Sequence, residues 1–193
     1  KIFYMNPKKI LKSIITRPEF AALAIFFINA TVFYLINDRF LSVRNLRVLF
    51  TISPEIALIA MGVIILMVSG EFDLSVGSVF ALSGVVMVIL TNEGVDPWVS
   101  IAISLIICLF IGYVNSVITL RFGIPSFIAT LGTMFMVRSL AIVVVKAEFP
   151  VFPLEAMEWP RALLANPIPG TIFRMSFIWF VLIFLLLTFY LHR

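Results

Sequence analysis

The chain has 193 residues, 62% of them hydrophobic and 12% charged, with 14 basic and 10 acidic side chains giving a net charge of +4. Soluble domains average roughly 45–50% apolar and about 25% charged residues, so this composition excludes a water-soluble fold and places the chain in a bilayer. One cysteine and 20 phenylalanines exclude both a disulfide-stapled module and a disordered chain, and the modest positive charge reads as membrane-edge anchoring, with no nucleic-acid partner.

Crossing about 30 Å of hydrocarbon takes a helix of about 20 apolar residues. Six segments approach that length: 20–36, 46–69, 73–91, 98–120, 125–145 and 172–191. Strands of a membrane barrel alternate apolar and polar positions, and the run Leu105-Ile106-Ile107-Cys108-Leu109-Phe110 does not. The expected fold is all-α, a polytopic transmembrane helical bundle of about six spans forming a single domain over 1–193.

Lys8, Lys9, Lys12 and Arg17 precede the first segment, as in a secretory signal. Its apolar run is too long for one, and no small-x-small cleavage site follows, so it reads as a retained anchor. With Lys1, these residues put the amino end in the cytoplasm, and six spans return the chain there at Arg193. In the second segment, Ser53-Pro54-Glu55 has the pattern of a helix start. Either a helix begins there, or a longer helix continues through the proline and kinks.

Polar residues within apolar stretches carry the most information, because lipid penalises them. The densest group is Ser69-Gly70-Glu71-Phe72-Asp73-Leu74-Ser75-Val76-Gly77-Ser78, between the second and third segments. Asp73 is either the cap of the third helix, with Ser75 in its first turn, or part of a polar constriction where two helices end. Glu71 is either a loop residue at the water interface or a member of that constriction. Small residues recur at helical spacing: Gly77, Ala81 and Gly84; Ser104, Cys108, Gly112 and Ser116; Ser126, Thr130 and Thr133. Such stripes predict close helix packing around the third to fifth segments. Asn115 is placed for an interhelical hydrogen bond. Arg138 lies deep enough to need protein or water around it, as an ion-pair partner, a snorkelling cation or part of a pathway.

The connector 146–171 holds five of the ten prolines, together with Glu148, Glu155, Glu158 and Trp159. It is expected to be a stiff, partly extended outer loop able to bind something. Nothing points to an enzyme. His192 is the only histidine, Cys108 has no basic neighbour, and no phosphate loop, paired-histidine metal motif or nucleophile elbow occurs. No cofactor is expected in this chain, and energy for any transport would come from a partner or an ion gradient.

The segment Gly70 to Ser78 resembles the glycine-(any)-(apolar)-Asp-Leu-Ser-Val-Gly-Ser signature of membrane permeases in bacterial sugar ABC importers of the ribose, xylose and arabinose type. A second segment, Ile124-Pro125-Ser126-Phe127-Ile128-Ala129-Thr130-Leu131-Gly132-Thr133, is similar to that family's Ile-Pro-x-Phe-Ile-Ala-Thr-Leu-Gly-Thr stretch, and Arg138 stands where the family often has arginine. Ile168-Pro169-Gly170 is a weaker match, and the likeness runs from about Phe40 to Arg193.

The resemblance implies a permease that pairs with a second permease copy in the lipid of the bacterial inner (cytoplasmic) membrane. It further implies cytoplasmic ATP-binding subunits, which use the ATP and Mg, and a periplasmic sugar-binding protein. Under it, the pathway candidates are Glu71, Asp73, Ser75, Ser78, Asn115, Thr130, Thr133 and Arg138. Glu148, Glu155, Glu158 and Trp159 become candidates for docking the binding protein. Glu71 replaces the family's commoner glycine, which predicts altered backbone freedom there. Family members continue for several more spans, so the chain is expected to be the amino-terminal part of a longer permease. Two other readings remain: a small secondary transporter or channel using Asp73, Glu71 and Arg138 as a charge pathway, and a non-transporting membrane scaffold.

Overall fold

A computed structural model describes residues 18–145 and 150–192. They form seven helices: α1 Pro18–Ile36, α2 Val43–Val68, α3 Val76–Asn92, α4 Pro97–Phe122, α5 Ser126–Val144, α6 Glu158–Leu164 and α7 Met175–Leu191. Pairing of strands among the described residues is confined to an isolated bridge between Pro167 and Arg174. The chain divides within α2 into two compact units, Lys1–Leu49 and Phe50–Arg193. The fold is a helical membrane bundle.

In the first unit, α1 is exposed along most of its length. Its polar side chains turn inward on their own helix, Asn29 Nδ2 donating to Ile25 O at 2.9 Å and Thr31 Oγ1 to Phe27 O at 2.8 Å. Such back-bonding to the preceding turn satisfies a polar group where water is absent. Asn45 Nδ2 donates to Phe40 O at 2.6 Å, closing the connector between α1 and α2, and the rings of Phe33 and Phe40 stack at 5.8 Å.

The second unit is built on α3, α4 and α5, which pack mutually, with α6 against α7. Leu82, Val137 and Ala141 form the buried core of that trio, supported by Val79, Val86, Ile107 and Ile111. Large apolar side chains such as Phe110, Phe135 and Leu109 point outward. Hydrocarbon welcomes them as readily as a protein core does, so the interior is left to smaller and polar residues. By length and composition α2, α4 and α5 can each cross a membrane, while the apolar runs Phe20–Ile36, Val76–Asn92 and Met175–Leu191 are shorter.

Most helix ends have a local chemical cause. Asp96 Oδ1 accepts from the N–H groups of Trp98 and Val99 at 2.9 and 3.3 Å and starts α4, with Pro97 in the first turn, where its missing N–H costs nothing. Gly123 ends α4 in the left-handed region at φ +69°, and Pro125 follows.

The structure decides two open alternatives and refines two further expectations. Of the two readings of Ser53-Pro54-Glu55, the longer helix holds: α2 continues through Pro54 and no helix starts at Ser53. Helix α3 begins at Val76, and Asp73 does not cap it. The connector is not simply extended: it folds α6, with Pro160 in its first turn, where no helical N–H is required, and with Met157 and Pro160 buried. Glu148 lies outside the described residues. Finally, the third to fifth segments do pack closely, as expected, but not through their glycines, because a Cβ built on Gly77, Gly84 or Gly112 meets nothing within 4 Å.

Candidate functional site

Helix α2 stops through local backbone chemistry. The N–H of Gly70 bonds Met67 O at 3.0 Å and that of Glu71 bonds Leu66 O at 3.2 Å, the paired bonds of a Schellman end with Gly70 at φ +87°. Gly70 therefore supplies the left-handed residue of this turn. Glu71 takes part in this turn through its N–H, a contact open to any residue but proline.

The segment from Glu71 to Ser75 is neither helix nor strand, so its backbone N–H groups need partners from elsewhere. Helix α5 provides them. Ser126 Oγ accepts from Phe72 N at 3.1 Å, and Thr130 Oγ1, four residues and one turn further, accepts from Leu74 N at 3.2 Å. Thr130 itself donates to Ser126 O at 2.7 Å and is buried. Asp73 Oδ1 accepts from both the N–H and the hydroxyl of Ser75 at 2.6 Å, an Asx turn that delivers the chain into α3.

Ser75 is wholly buried and reaches α4, where Asn115 Nδ2 donates to its Oγ at 3.2 Å. Asn115 Oδ1 accepts from Thr133 Oγ1 of α5 at 2.6 Å. Asn115 and Thr133 each lie seven residues inside their helices, counted from Phe122 and Ser126, so the network reaches about 10 Å into the trio.

Beside this network lies a cavity of about 480 Å³, within the roughly 300–1,000 Å³ typical of small-molecule clefts. Its wall carries Glu71, Asp73, Asn115, Ser116, Thr119 and Thr130, with Ser69, Ser126 and apolar Leu66, Phe72 and Leu120 around them and Gly112 leaving room. Glu71 and Asp73 are half-buried, and neither makes an ion pair among the described residues. The wall can donate and accept many hydrogen bonds, and its fixed charges are negative.

Among the sequence candidates, Glu71, Asp73, Asn115 and Thr130 meet at the cavity. Ser75 and Thr133 stand behind it in the hydrogen-bond network. Ser78 is buried on α3 one turn after Ser75 and does not line the cavity, and Arg138 is exposed on α5, outside the cavity wall. That position separates Arg138 from the two carboxylates and leaves a three-charge pathway without its cation. Sequence reasoning passed over Ser69, Ser116, Thr119 and Ser126. The available signal for Ser126 is its place in the hydroxyl stripe with Thr130 and Thr133, whose spacing alone predicts packing.

At the other end of α3, Asn92 Nδ2 donates to Val151 O at 3.0 Å, and Trp179 Nε1 of α7 donates to Leu163 O of α6 at 2.9 Å. Glu155, Glu158 and Trp159 are all exposed there, Trp159 at 78%.

The family model for the permease component of branched-chain amino acid transport systems matches residues 45–193, which includes every residue of the cavity and the network. The chain belongs to that permease family. It is a multi-pass membrane protein.

This permease is 29% identical over 138 residues to the xylose/arabinose import permease protein XylH of Sulfolobus acidocaldarius, covering 68% of the chain and 39% of that relative. It is 30% identical over 105 residues to the autoinducer 2 import system permease protein LsrC of Escherichia coli, covering 54% of the chain and 31% of the relative. The chain thus spans less than two fifths of the length of these relatives. No solved structure matches it.

Proposed function

We propose that the chain is the amino-terminal part of the membrane permease of an ATP-driven sugar importer, and that the cavity beside the Glu71–Ser75 segment forms part of its translocation route. A sugar is neutral, compact and covered with hydroxyls, each both donor and acceptor. Stripping water from those hydroxyls is costly unless a wall replaces the lost bonds. The carboxylates, hydroxyls and amide around this cavity are the groups that can do so, and the import named for XylH, of xylose and arabinose, concerns solutes of this kind.

In this reading ATP and magnesium act in separate cytoplasmic ATP-binding subunits, a periplasmic sugar-binding protein delivers solute, and two permease copies pair in the inner membrane. About six spans in one domain, with a cytoplasmic amino end, put the cavity at the cytoplasmic end of α3 to α5. Residues 150–175 then lie on the periplasmic side, where Glu155, Glu158 and Trp159 offer an aromatic anchor in a polar rim for the binding protein.

The observation carrying the proposal is Asp73. One of its carboxylate oxygens is committed to the turn through Ser75, while the residue lines the cavity and its other oxygen takes no hydrogen bond among the described residues. Asp73→Asn retains an acceptor for the turn and removes the charge. In full-length permease reconstituted with its ATP-binding subunits and binding protein, this variant is expected to import sugar about tenfold more slowly, the scale of one charge-assisted hydrogen bond. Ser78→Ala, at a residue that does not line the cavity, is expected to stay near wild type. Equal, near-wild-type rates for both would return Asp73 to a purely structural role, and import that continued at full rate with a non-hydrolysable ATP analogue would remove the ATP-driven mechanism.

A further inference from the structure

The hydrogen bonds joining Asp73, Ser75, Asn115 and Thr133 have a fixed polarity, and it follows from the carboxylate alone. An ionised carboxylate accepts and cannot donate. The single hydroxyl hydrogen of Ser75 must therefore point to Asp73 Oδ1, 2.6 Å away. That leaves Ser75 Oγ as the acceptor in its contact with Asn115, so the Asn115 amide must present Nδ2 to it, at 3.2 Å. Asn115 Oδ1 then faces Thr133, and the Thr133 hydroxyl must donate to it, at 2.6 Å. Every hydrogen in the chain points toward Asp73.

Resting on the importer reading, we infer that Asn115 is a positioning residue for Asp73: with Thr133 behind it, it orients Ser75, and Ser75 holds the Asp73 carboxylate at the cavity wall. Three properties support this role. Asn115 is 6% exposed and Ser75 is fully buried, so water cannot easily replace either bond. The chain crosses from α4 and α5 to the irregular segment, so it links the Asp73 side chain to two rigid helices. Its amide also accepts from Thr133 at one end and donates to Ser75 at the other, so it carries the same polarity from α5 to Ser75.

The informative variant is Asn115→Asp. It has nearly the same shape and cannot donate to Ser75 when ionised. Thr133→Val is the gentler companion, since it preserves shape and removes the hydroxyl that donates to Asn115 and also reaches Ala129 O at 3.1 Å on its own helix, and Thr133→Ser restores it. The assay is sugar uptake by the full-length permease reconstituted with its ATP-binding subunits and binding protein, with maximal rate and half-saturation measured separately.

Asn115→Asp is expected to lower the maximal rate about tenfold and Thr133→Val about threefold, with half-saturation by loaded binding protein unchanged, on the scale of one buried hydrogen bond each. Thr133→Ser is expected to recover wild-type transport. Placed on top of Asp73→Asn, either change is expected to add no further loss, because residues acting through a shared group do not add.

A merely structural role gives a different pattern: losses that multiply with the Asp73→Asn loss and follow the amount of assembled complex. That pattern, or wild-type rates for both variants beside a slow Asp73→Asn, overturns the positioning role and leaves the importer reading standing. A wild-type rate for Asp73→Asn fails the reading of the cavity itself, and the positioning role with it. If Asn115→Asp does not assemble, the Thr133→Val and Thr133→Ser pair decides the matter alone.

Discussion

Two stripes of small residues run along neighbouring helices of this permease at nearly the same spacing, and they do different work. On α3, Gly77, Ala81 and Gly84 recur at intervals of four and three, yet nothing approaches a Cβ placed on either glycine within 4 Å. On α5, Ser126, Thr130 and Thr133 recur at the same intervals, and each hydroxyl holds something: Phe72 N, Leu74 N and Asn115 Oδ1. The spacing specifies only that three side chains share a face. What that face does depends on whether it carries hydroxyls and whether an irregular segment lies opposite with unpaired N–H groups.

Breaking the hydroxyl stripe at its middle should have the largest effect. Thr130→Val keeps the shape and removes, at a buried side chain, the acceptor of Leu74 N, together with the donation to Ser126 O, which still accepts within its helix. The expected cost is about 1–2 kcal/mol, the scale of a donor left without its acceptor. Thermal or denaturant unfolding of the detergent-solubilised full-length protein measures it, and Thr130→Ser should recover most of the loss. No change in Thr130→Val would mean that the segment holds its place without α5.

Ser126→Ala tests the edge of the same stripe. Ser126 is half-buried, and Phe72, whose N–H it accepts, is exposed. Water can take over the lost bond there, so the expected cost falls to about 0.5 kcal/mol, at the low end of the range for an intramolecular hydrogen bond. A cost equal to that of Thr130→Val would show that the two ends of the stripe are equally dry.

Much of this architecture was legible in the sequence because the bilayer imposes a length rule. Each of the six apolar segments became a helix, with ends displaced by only a few residues, and Asp96-Pro97 and Gly123 explain two of those ends. Helix α6 was not legible. It is seven residues long, begins with Glu158 and contains Pro160, and its stability comes from burying Met157 and Pro160 and from packing against α7, which composition does not reveal. The site was half legible. Glu71, Asp73 and Asn115 are conspicuous because lipid penalises them, and they do meet at one cavity. Ser126 was not conspicuous, because a serine is equally at home packing, capping or accepting a hydrogen bond. Only the geometry of the Glu71–Ser75 segment decides among these.

The smallest expected effect lies on the glycine stripe, and its sign is the informative part. Alanine is a better helix former than glycine by up to about 1 kcal/mol, because glycine loses more backbone freedom on folding. Gly84 is inside α3 and has no neighbour within reach of a new methyl group. Gly84→Ala should therefore leave the unfolding temperature of the full-length protein unchanged or raise it slightly, while a Cβ in a tightly packed helix pair would lower it. A clear loss of stability would show that something beyond the described residues presses against this face. The measurement thus separates a stripe that is small because it is covered from one that is small for no packing reason, a distinction that residue spacing cannot make.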